Sequence, residues 1–94
     1  MTVAWSPRAI RHLLALRAYI ARDSPDAAAD VALTILAAVD RLAELPNLGR
    51  PGRLAGTREL VVPGTPYVIP YRVRPGRLEI IAVFHGRQGW PNRL

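Results

Sequence analysis

The sequence predicts an α+β fold in the order β-α-α-β-β-β, with a helical hairpin packed on a small antiparallel sheet. Three observations predict it. Two apolar patterns that repeat every three or four residues fill the first half of the chain, and each follows a Ser-Pro pair. After Gly49 the apolar repeat changes to two, which indicates strands. A Pro-Gly turn separates the last two of these strands.

The length and composition fit a single domain over residues 1–94. Half of the 94 residues are hydrophobic, which is enough for a core. The chain has no cysteine, so disulfides, thiolate metal sites and cysteine catalysis are excluded. No stretch approaches the ~18 apolar residues of a membrane span, and arginines interrupt the first apolar segment. We expect a cytoplasmic protein without a membrane partner.

The first half predicts a short strand followed by two capped helices. Residues 2–5 alternate weakly and predict the strand. Ser6-Pro7 is a typical cap and first turn, so a helix is predicted over residues 7–22. Ser24-Pro25 repeats the signal and begins a second helix over residues 25–45, which ends before Pro46 and Gly49. The brief break between the helices predicts a hairpin.

The second half predicts three strands, over residues 58–62, 67–73 and 78–84. In the last of them Leu78, Ile80, Ala82 and Phe84 are expected on one face. Residues 74–77, Arg-Pro-Gly-Arg, predict the hairpin turn. Pro70 lies inside the middle strand and cannot donate a hydrogen bond, so we expect a bulge there.

The positive charge is confined to the second half of the chain. Residues 1–47 carry five Arg against five acids, whereas residues 48–94 carry eight Arg against two acids, which accounts for the entire net charge of +6. Arginine binds carboxylates and phosphates through paired hydrogen bonds. The pattern therefore favours an anionic partner, either nucleic acid or an acidic protein.

The candidate contact residues for this partner lie in the basic loop, the strands and the tail. They are Arg50, Arg53, Arg58, Tyr71, Arg72, Arg77, Arg87 and Trp90. A solvated arginine surface is the alternative for the set. Tyr71 is expected to pack in the core, with a hydroxyl that reaches the site as the alternative. For Trp90 two roles are equally expected, a lid on the core or an exposed anchor for a partner.

His85 is a candidate acid or base because it follows the last strand, with Arg87 just beyond it. In that case Arg58 and Arg87 would hold a phosphate. A histidine that caps the sheet edge is the alternative. His12 and His85 lack metal-ligand spacing, no phosphate-binding loop is present, and Ser6 and Ser24 serve as caps. We expect no metal and no cofactor.

Short segments along the whole chain resemble one family. The segments are Trp5-Ser6-Pro7, Tyr19-Ile20-Ala21, Ser24-Pro25, Gly49-Arg50-Pro51-Gly52, Gly56-Thr57-Arg58-Glu59-Leu60, Pro66-Tyr67, Tyr71-Arg72-Val73, Val83-Phe84-His85-Gly86 and Trp90-Pro91. In this order and spacing they resemble the ParE/RelE superfamily of bacterial toxins. The resemblance implies the toxin of a type II toxin–antitoxin pair. It also implies a cognate antitoxin, whose flexible, acidic C-terminal segment wraps the toxin in a hetero-oligomer.

The resemblance is compatible with two cellular targets. RelE-like members cleave mRNA on the ribosome, and ParE-like members poison DNA gyrase and arrest growth. This chain has Tyr67-Val68-Ile69 where the nucleases commonly carry an arginine, and Gly86 where a tyrosine often follows the histidine. The resemblance therefore favours a gyrase inhibitor, with the ribosome-dependent mRNA endoribonuclease as the alternative. A small nucleic-acid-binding module is a third hypothesis.

Overall fold

The helices begin at the two predicted caps in the computed structural model, which describes residues 1–90. Ser6 Oγ accepts a hydrogen bond from Ala9 N at 3.0 Å, and Ser24 Oγ accepts one from Ala27 N at 3.1 Å. Each serine precedes a proline in the first helical turn, where the missing N–H costs nothing. Pro91 and Arg93 of the tail lie outside the described residues.

The chain forms two helices and six strands. They are β1 (Thr2–Trp5), α1 (Pro7–Ala21), α2 (Pro25–Glu44), β2 (Arg50–Pro51), β3 (Arg58–Val61), β4 (Tyr67–Arg74), β5 (Arg77–Ile80) and β6 (Phe84–His85). The helices pack against each other, and their apolar faces cover one side of a sheet with the order β1-β5-β4-β3-β2. The α+β prediction is confirmed.

The sheet is mixed rather than purely antiparallel, because β1 pairs with β5 in parallel while the other pairs are antiparallel. β1 joins one edge of the sheet beside β5, and a two-residue strand that the sequence pattern did not predict, β2, joins the opposite edge beside β3.

A bulge interrupts the pairing opposite Pro70, as the sequence predicted. Tyr71 pairs with Ile80 and Val68 pairs with Phe84, so the two residues between them on β4 face three residues on the neighbouring segment. The Pro70 carbonyl accepts a hydrogen bond from Ile81 N at 3.0 Å. The missing N–H of Pro70 therefore faces the bulge, where no ladder donor is needed.

The bulge also divides the predicted last strand and changes which face its residues occupy. Leu78 and Ile80 pack in the main core between helices and sheet, and after the bulge Val83 rejoins that core. Phe84 and Ala82 instead lie on the opposite face, in a second cluster with Val68 and Trp90. The prediction that Phe84 shares a face with Leu78 is wrong, because one extra residue inverts the alternation.

The β4–β5 hairpin has the predicted turn chemistry. Arg74 pairs with Arg77, and Gly76 between them has a φ of 67°. This left-handed conformation is one that glycine adopts without strain. The turn fixes the register that brings Arg72 opposite Glu79 on the outward face of the sheet.

Candidate partner-binding surface

The outward side of the sheet, away from the helices, carries a group of arginines that we call the arginine face. Its members are Arg50, Arg53, Arg72, Arg74 and Arg77. The register aligns Arg50, Glu59 and Pro70 in one row across three strands, and Arg72 and Glu79 in the next. Because side chains alternate along a strand, these residues share the side opposite to Ile69 and Leu78 of the main core.

Glu59 holds the basic loop onto this face. Its side chain is only 1% exposed, and its carboxylate lies 3.5 Å from the guanidinium groups of both Arg50 and Arg53. It also accepts a hydrogen bond from Arg53 N at 2.9 Å. A buried carboxylate is tolerated only when it is paired and hydrogen-bonded, so these contacts anchor the loop. The sequence gives Glu59 as one of two acids among eight arginines, which is the signal that would have found it.

Arg53 connects the basic loop to the tail. Its guanidinium donates a hydrogen bond to the Trp90 carbonyl at 3.2 Å and lies 5.5 Å from the centroid of the Phe84 ring. The Trp90 ring stacks on Phe84 at a centroid distance of 5.5 Å and an angle of 16°. Trp90 is only 4% exposed. Trp90 is therefore a lid on the core, and its ring is not an exposed anchor for a partner.

The other acid of this face, Glu79, pairs with two arginines near the hairpin turn. Its carboxylate lies 2.6 Å from Arg77 Nη2 and 3.4 Å from Arg74 Nε, and all three side chains are partly or largely exposed. Arg72 is half-buried beside Glu79, and no carboxylate within residues 1–90 forms an ion pair with it. Exposed Arg87 likewise has no acidic partner in this part of the chain.

Arg58 lies apart from the arginine face. It pairs with Tyr71, so its side chain projects to the helix side of the sheet, and its Nη1 donates to the Gly49 carbonyl at 2.7 Å. Arg58 therefore supports the connection between α2 and β2. The prediction that the Arg58 side chain lies on the open face of the sheet is wrong, because the alternation along β3 directs it to the other side.

Tyr71 is fully buried and closes the same connection. Its hydroxyl donates to the Pro46 carbonyl at 2.7 Å and accepts from Gly49 N at 2.8 Å. Burial raises the pKa of the Tyr71 hydroxyl, while the Gly49 hydrogen bond and the Arg58 charge oppose that shift. Tyr71 therefore packs in the core, as expected, and its hydroxyl is not exposed to a partner.

His85 also lies on the helix side of the sheet, since the bulge moves it there. It pairs with Tyr67, and the two rings meet edge to face at 5.8 Å. Its Nδ1 accepts a hydrogen bond from Arg87 N at 3.1 Å. Along β4 the partners of His85 and Arg58 are four residues apart, about 13 Å at about 3.3 Å per residue. The two side chains do not converge on one phosphate.

Residues 3–90 match the family model described as "ParE toxin of type II toxin-antitoxin system, parDE". The chain belongs to this family. It is thus the toxin component of a type II toxin–antitoxin system, and the family implies an antitoxin as its partner. The predicted resemblance is confirmed.

Two relatives of this ParE-family toxin carry the names of toxins, and one of these names is RelE2. A Sinorhizobium fredii protein named "Putative toxin Y4kP" is 51% identical over 98% of this chain and 95% of its own length. The "Toxin RelE2" of Caulobacter vibrioides is 46% identical over 88% of this chain and 92% of its own length. The names leave the target of this toxin open.

A solved structure supports the fold of this ParE-family toxin. It is titled "Chromosomal ParDE TA system from P. aeruginosa", superposes with a TM-score of 0.80, and is 25% identical. The match covers 90% of this chain and 95% of that chain. Within residues 1–90 no helix has the length and apolarity to cross a membrane, and no three His, Cys, Asp or Glu side chains cluster as metal ligands would.

Proposed function

We propose that this ParE-family toxin inhibits DNA gyrase and that it contacts its target through the arginine face and the adjoining tail. The leading contacts are Arg50, Arg72 and Arg87. Arg50 is exposed, and Arg72 and Arg87 have no carboxylate partner within residues 1–90, so these guanidinium groups keep hydrogen-bond donors for a partner. Arg53 and Trp90 support the same surface from beneath, through the contact of Arg53 with the Trp90 carbonyl.

The observation that carries the choice of gyrase is the separation of His85 from the arginine face. Cleavage of RNA through its 2′-hydroxyl needs a base, an acid and cationic groups around one phosphate. In this chain the imidazole lies on the helix side, Arg58 donates to a backbone carbonyl, and the arginine face lies on the opposite side of the sheet. A surface that only binds a partner does not require these groups to meet around one phosphate.

The competing function is the ribosome-dependent mRNA endoribonuclease. One observation favours it: a relative with 46% identity carries the name RelE2. If this function holds, Arg87 and His85 are the candidate catalytic residues, because they are adjacent in the turn that follows β6.

Two assays with the purified toxin decide between these targets. In the first, the toxin is added to DNA gyrase and relaxed plasmid with ATP, and supercoiling and cleaved DNA are measured. In the second, it is added to ribosomes that are translating a defined mRNA. We expect loss of supercoiling and intact mRNA. Cut mRNA together with normal supercoiling would overturn the proposal.

Paired arginine variants test the surface. The double variant Arg72→Gln/Arg87→Gln removes two charges from the proposed contact region and should weaken gyrase inhibition at least tenfold, since charge-assisted contacts contribute about 1.5–3 kcal/mol each. The control is Arg17→Gln/Arg41→Gln, which removes the same charge from exposed positions on the helices. Equal losses in the two variants would contradict the assignment to this face.

We further propose that the antitoxin covers the outer apolar side of the helical hairpin with apolar residues and binds the arginine face with an acidic segment. The hairpin exposes large apolar side chains at Ile10, Leu14, Tyr19, Leu33 and Leu36. Leu14, which is 58% exposed, lies centrally on α1. An isolated leucine on a surface is ordinary, but a contiguous apolar patch marks an interface.

Substitution of Leu14 tests this surface. Leu14→Asp should weaken binding of the co-expressed antitoxin at least tenfold, because it places a charge in an apolar contact. Leu48→Asp makes the same change in the connection between α2 and β2, outside the hairpin and the arginine face, and serves as the control. Isothermal titration of both variants with the antitoxin measures the difference, and equal affinities would exclude the hairpin as the interface.

A further inference from the structure

A cavity of about 350 Å³ opens to solvent between α1 and the segment that contains β6 and the following turn. His12 and Tyr19 line it from α1, and Tyr67, His85 and Gln88 line it from the sheet and the turn. This cavity lies on the helix side of the sheet, opposite to the arginine face. Binding of a ligand in this cavity is therefore independent of the proposed contact between the arginine face and gyrase.

Both imidazoles of the cavity have one tautomer fixed by the backbone. His12 Nδ1 accepts a hydrogen bond from Val83 N at 3.2 Å, and His85 Nδ1 accepts one from Arg87 N at 3.1 Å. A neutral imidazole that accepts at one nitrogen carries its proton on the other. Each ring therefore has an Nε2–H donor, and neither donor bonds to an acceptor within residues 1–90.

Gln88 repeats this arrangement. Its Oε1 accepts a hydrogen bond from His85 N at 2.7 Å, which fixes the amide orientation and leaves the NH₂ group with two free donors. Three side chains of the cavity thus have their acceptor atoms occupied by backbone N–H groups. Their side-chain N–H groups have no acceptor within residues 1–90 and can donate to a ligand.

The surroundings favour an acceptor with negative charge. No acidic residue lines the cavity. Burial, together with the nearby charges of Arg8 and Arg11, lowers the pKa of the His12 imidazole, so the ring stays neutral and keeps its tautomer. Burial raises the pKa of Tyr67, whose hydroxyl therefore also remains a donor.

We propose that this cavity is a carboxylate-binding site, in which the Nε2–H groups of His12 and His85 and the amide of Gln88 donate to the carboxylate oxygens. No guanidinium or ammonium group lines the cavity, and phosphate sites in proteins rely on such groups or on a helix N-terminus. A metal ion is disfavoured. A neutral histidine that binds a metal through Nε2 carries its proton on Nδ1, whereas Nδ1 of both rings accepts a hydrogen bond from a backbone N–H.

NMR of the ¹⁵N-labelled toxin at pH 7 tests the site directly. Long-range ¹H–¹⁵N spectra should show both histidines as the Nε2–H tautomer. Acetate should shift the signals of both rings together and saturably, whereas acetamide, its neutral isostere, should not. Equal shifts with acetamide, tighter binding of inorganic phosphate, or no response to acetate would each overturn the proposal.

A short peptide distinguishes two sources of the carboxylate. Acetyl-Gly-Glu-Gly-amide should bind at least tenfold more tightly than acetate if the natural ligand is an acidic side chain of a protein partner. Equal binding would instead assign the site to a small free carboxylate. Both results agree with a site that binds carboxylates. Equal binding of the peptide with Gln in place of Glu would refute it.

Isosteric variants separate the donors from the fold. Gln88→Glu keeps the oxygen that accepts from His85 N and replaces the NH₂ donors with a charged oxygen in an exposed turn. His12→Asn keeps an acceptor near the position of Nδ1 and removes the Nε2–H donor. Each should weaken acetate binding at least tenfold, which is the loss expected for one hydrogen bond to a charged group. Unchanged binding in folded Gln88→Glu would overturn the proposal, even if His12→Asn failed to fold.

Discussion

At the scale of single residues, Glu59 has the largest structural role among the charged groups of this toxin. It is almost completely buried, and the Arg50 and Arg53 side chains and the Arg53 backbone N–H all converge on it. Glu79 also pairs with two arginines, but it remains accessible to water. The two acids therefore form similar ion pairs at different depths, and burial decides their importance.

Glu59→Gln should lower the free energy of unfolding by about 1–3 kcal/mol, because the buried site would lose its charge while the two guanidinium groups keep theirs. Glu79→Gln is the matched control and should change it by less than about 1 kcal/mol, as expected for exposed ion pairs. Urea denaturation measures both. A larger loss for Glu79→Gln would reverse this ranking.

His12 makes the stability depend on pH in a defined direction. Burial, with Arg8 and Arg11, lowers its pKa in the folded protein below the ordinary value of 6.5. Above that value His12 is neutral in both states and costs nothing. Below it the unfolded chain binds a proton that the folded protein resists, so the free energy of unfolding falls as the pH decreases. Urea denaturation at pH 7.5 and pH 5 should show this fall.

The variant His12→Asn isolates the contribution of this one group to the pH dependence. Between pH 7.5 and pH 5 the wild-type toxin should lose more stability than His12→Asn does. Arg8, Arg11, Tyr67 and His85 surround the ring and are unchanged in the variant. Parallel pH profiles of the two proteins would rule out the role of His12.

At the scale of elements, the connection between α2 and β2 shows how a strand residue fixes a loop. Helix α2 ends at Glu44, and the next five residues must turn the chain onto the sheet edge. Tyr71 of β4 reaches this turn from the core and bonds both Pro46 and Gly49. A Cβ on Gly49 would lie only 2.6 Å from the Tyr71 hydroxyl, which explains the glycine. The loop is thus held from inside the fold.

Tyr71→Phe should destabilise the toxin by about 1–3 kcal/mol, because the Gly49 N–H and the Pro46 carbonyl would lose their partner in a buried place. Tyr67→Phe removes a hydroxyl that has no hydrogen-bond partner within residues 1–90, and it should cost less than about 0.5 kcal/mol. Thermal and urea denaturation compare them. Equal stabilities would show that water replaces the Tyr71 contacts.

At the scale of the whole molecule, charge and apolar surface are divided between two sides. The excess charge of +6 belongs to residues 48–94, and the fold spreads much of it over the outward side of the sheet. The helices present exposed leucines on the other side of the molecule. A partner that neutralises the toxin therefore needs both acidic and apolar segments if it is to cover both sides.

Binding of an acidic partner should weaken strongly with salt, since long-range attraction to a net charge of +6 is screened within about 8 Å at physiological ionic strength. Raising NaCl from 50 to 500 mM should slow the association rate with the antitoxin at least tenfold. Arg72→Gln/Arg87→Gln should reduce this dependence more than Arg17→Gln/Arg41→Gln. Stopped-flow kinetics measure the rates, and salt-independent association would exclude electrostatic steering.

The sequence alone determined the features that depend on neighbouring residues. The two Ser-Pro caps, the helix lengths to within a residue, the Arg74–Arg77 turn and the bulge at Pro70 all follow from local conformational preferences. The family resemblance followed from the order of such segments, and the match over residues 3–90 confirms it. The concentration of charge in the second half was likewise visible at once.

Only the tertiary structure decided which residues meet. A strand of two residues, β2, has no recognisable periodicity, and the parallel pairing of β1 with β5 joins strands more than seventy positions apart. A single extra residue in the segment 81–83 sends Phe84 to one side of the sheet and His85 to the other. These outcomes depend on pairing between distant strands, where a shift of one residue inverts every side chain that follows. For that reason His85 lines the same cavity as His12, 73 positions away in the sequence, and lies on the side opposite to the arginine face.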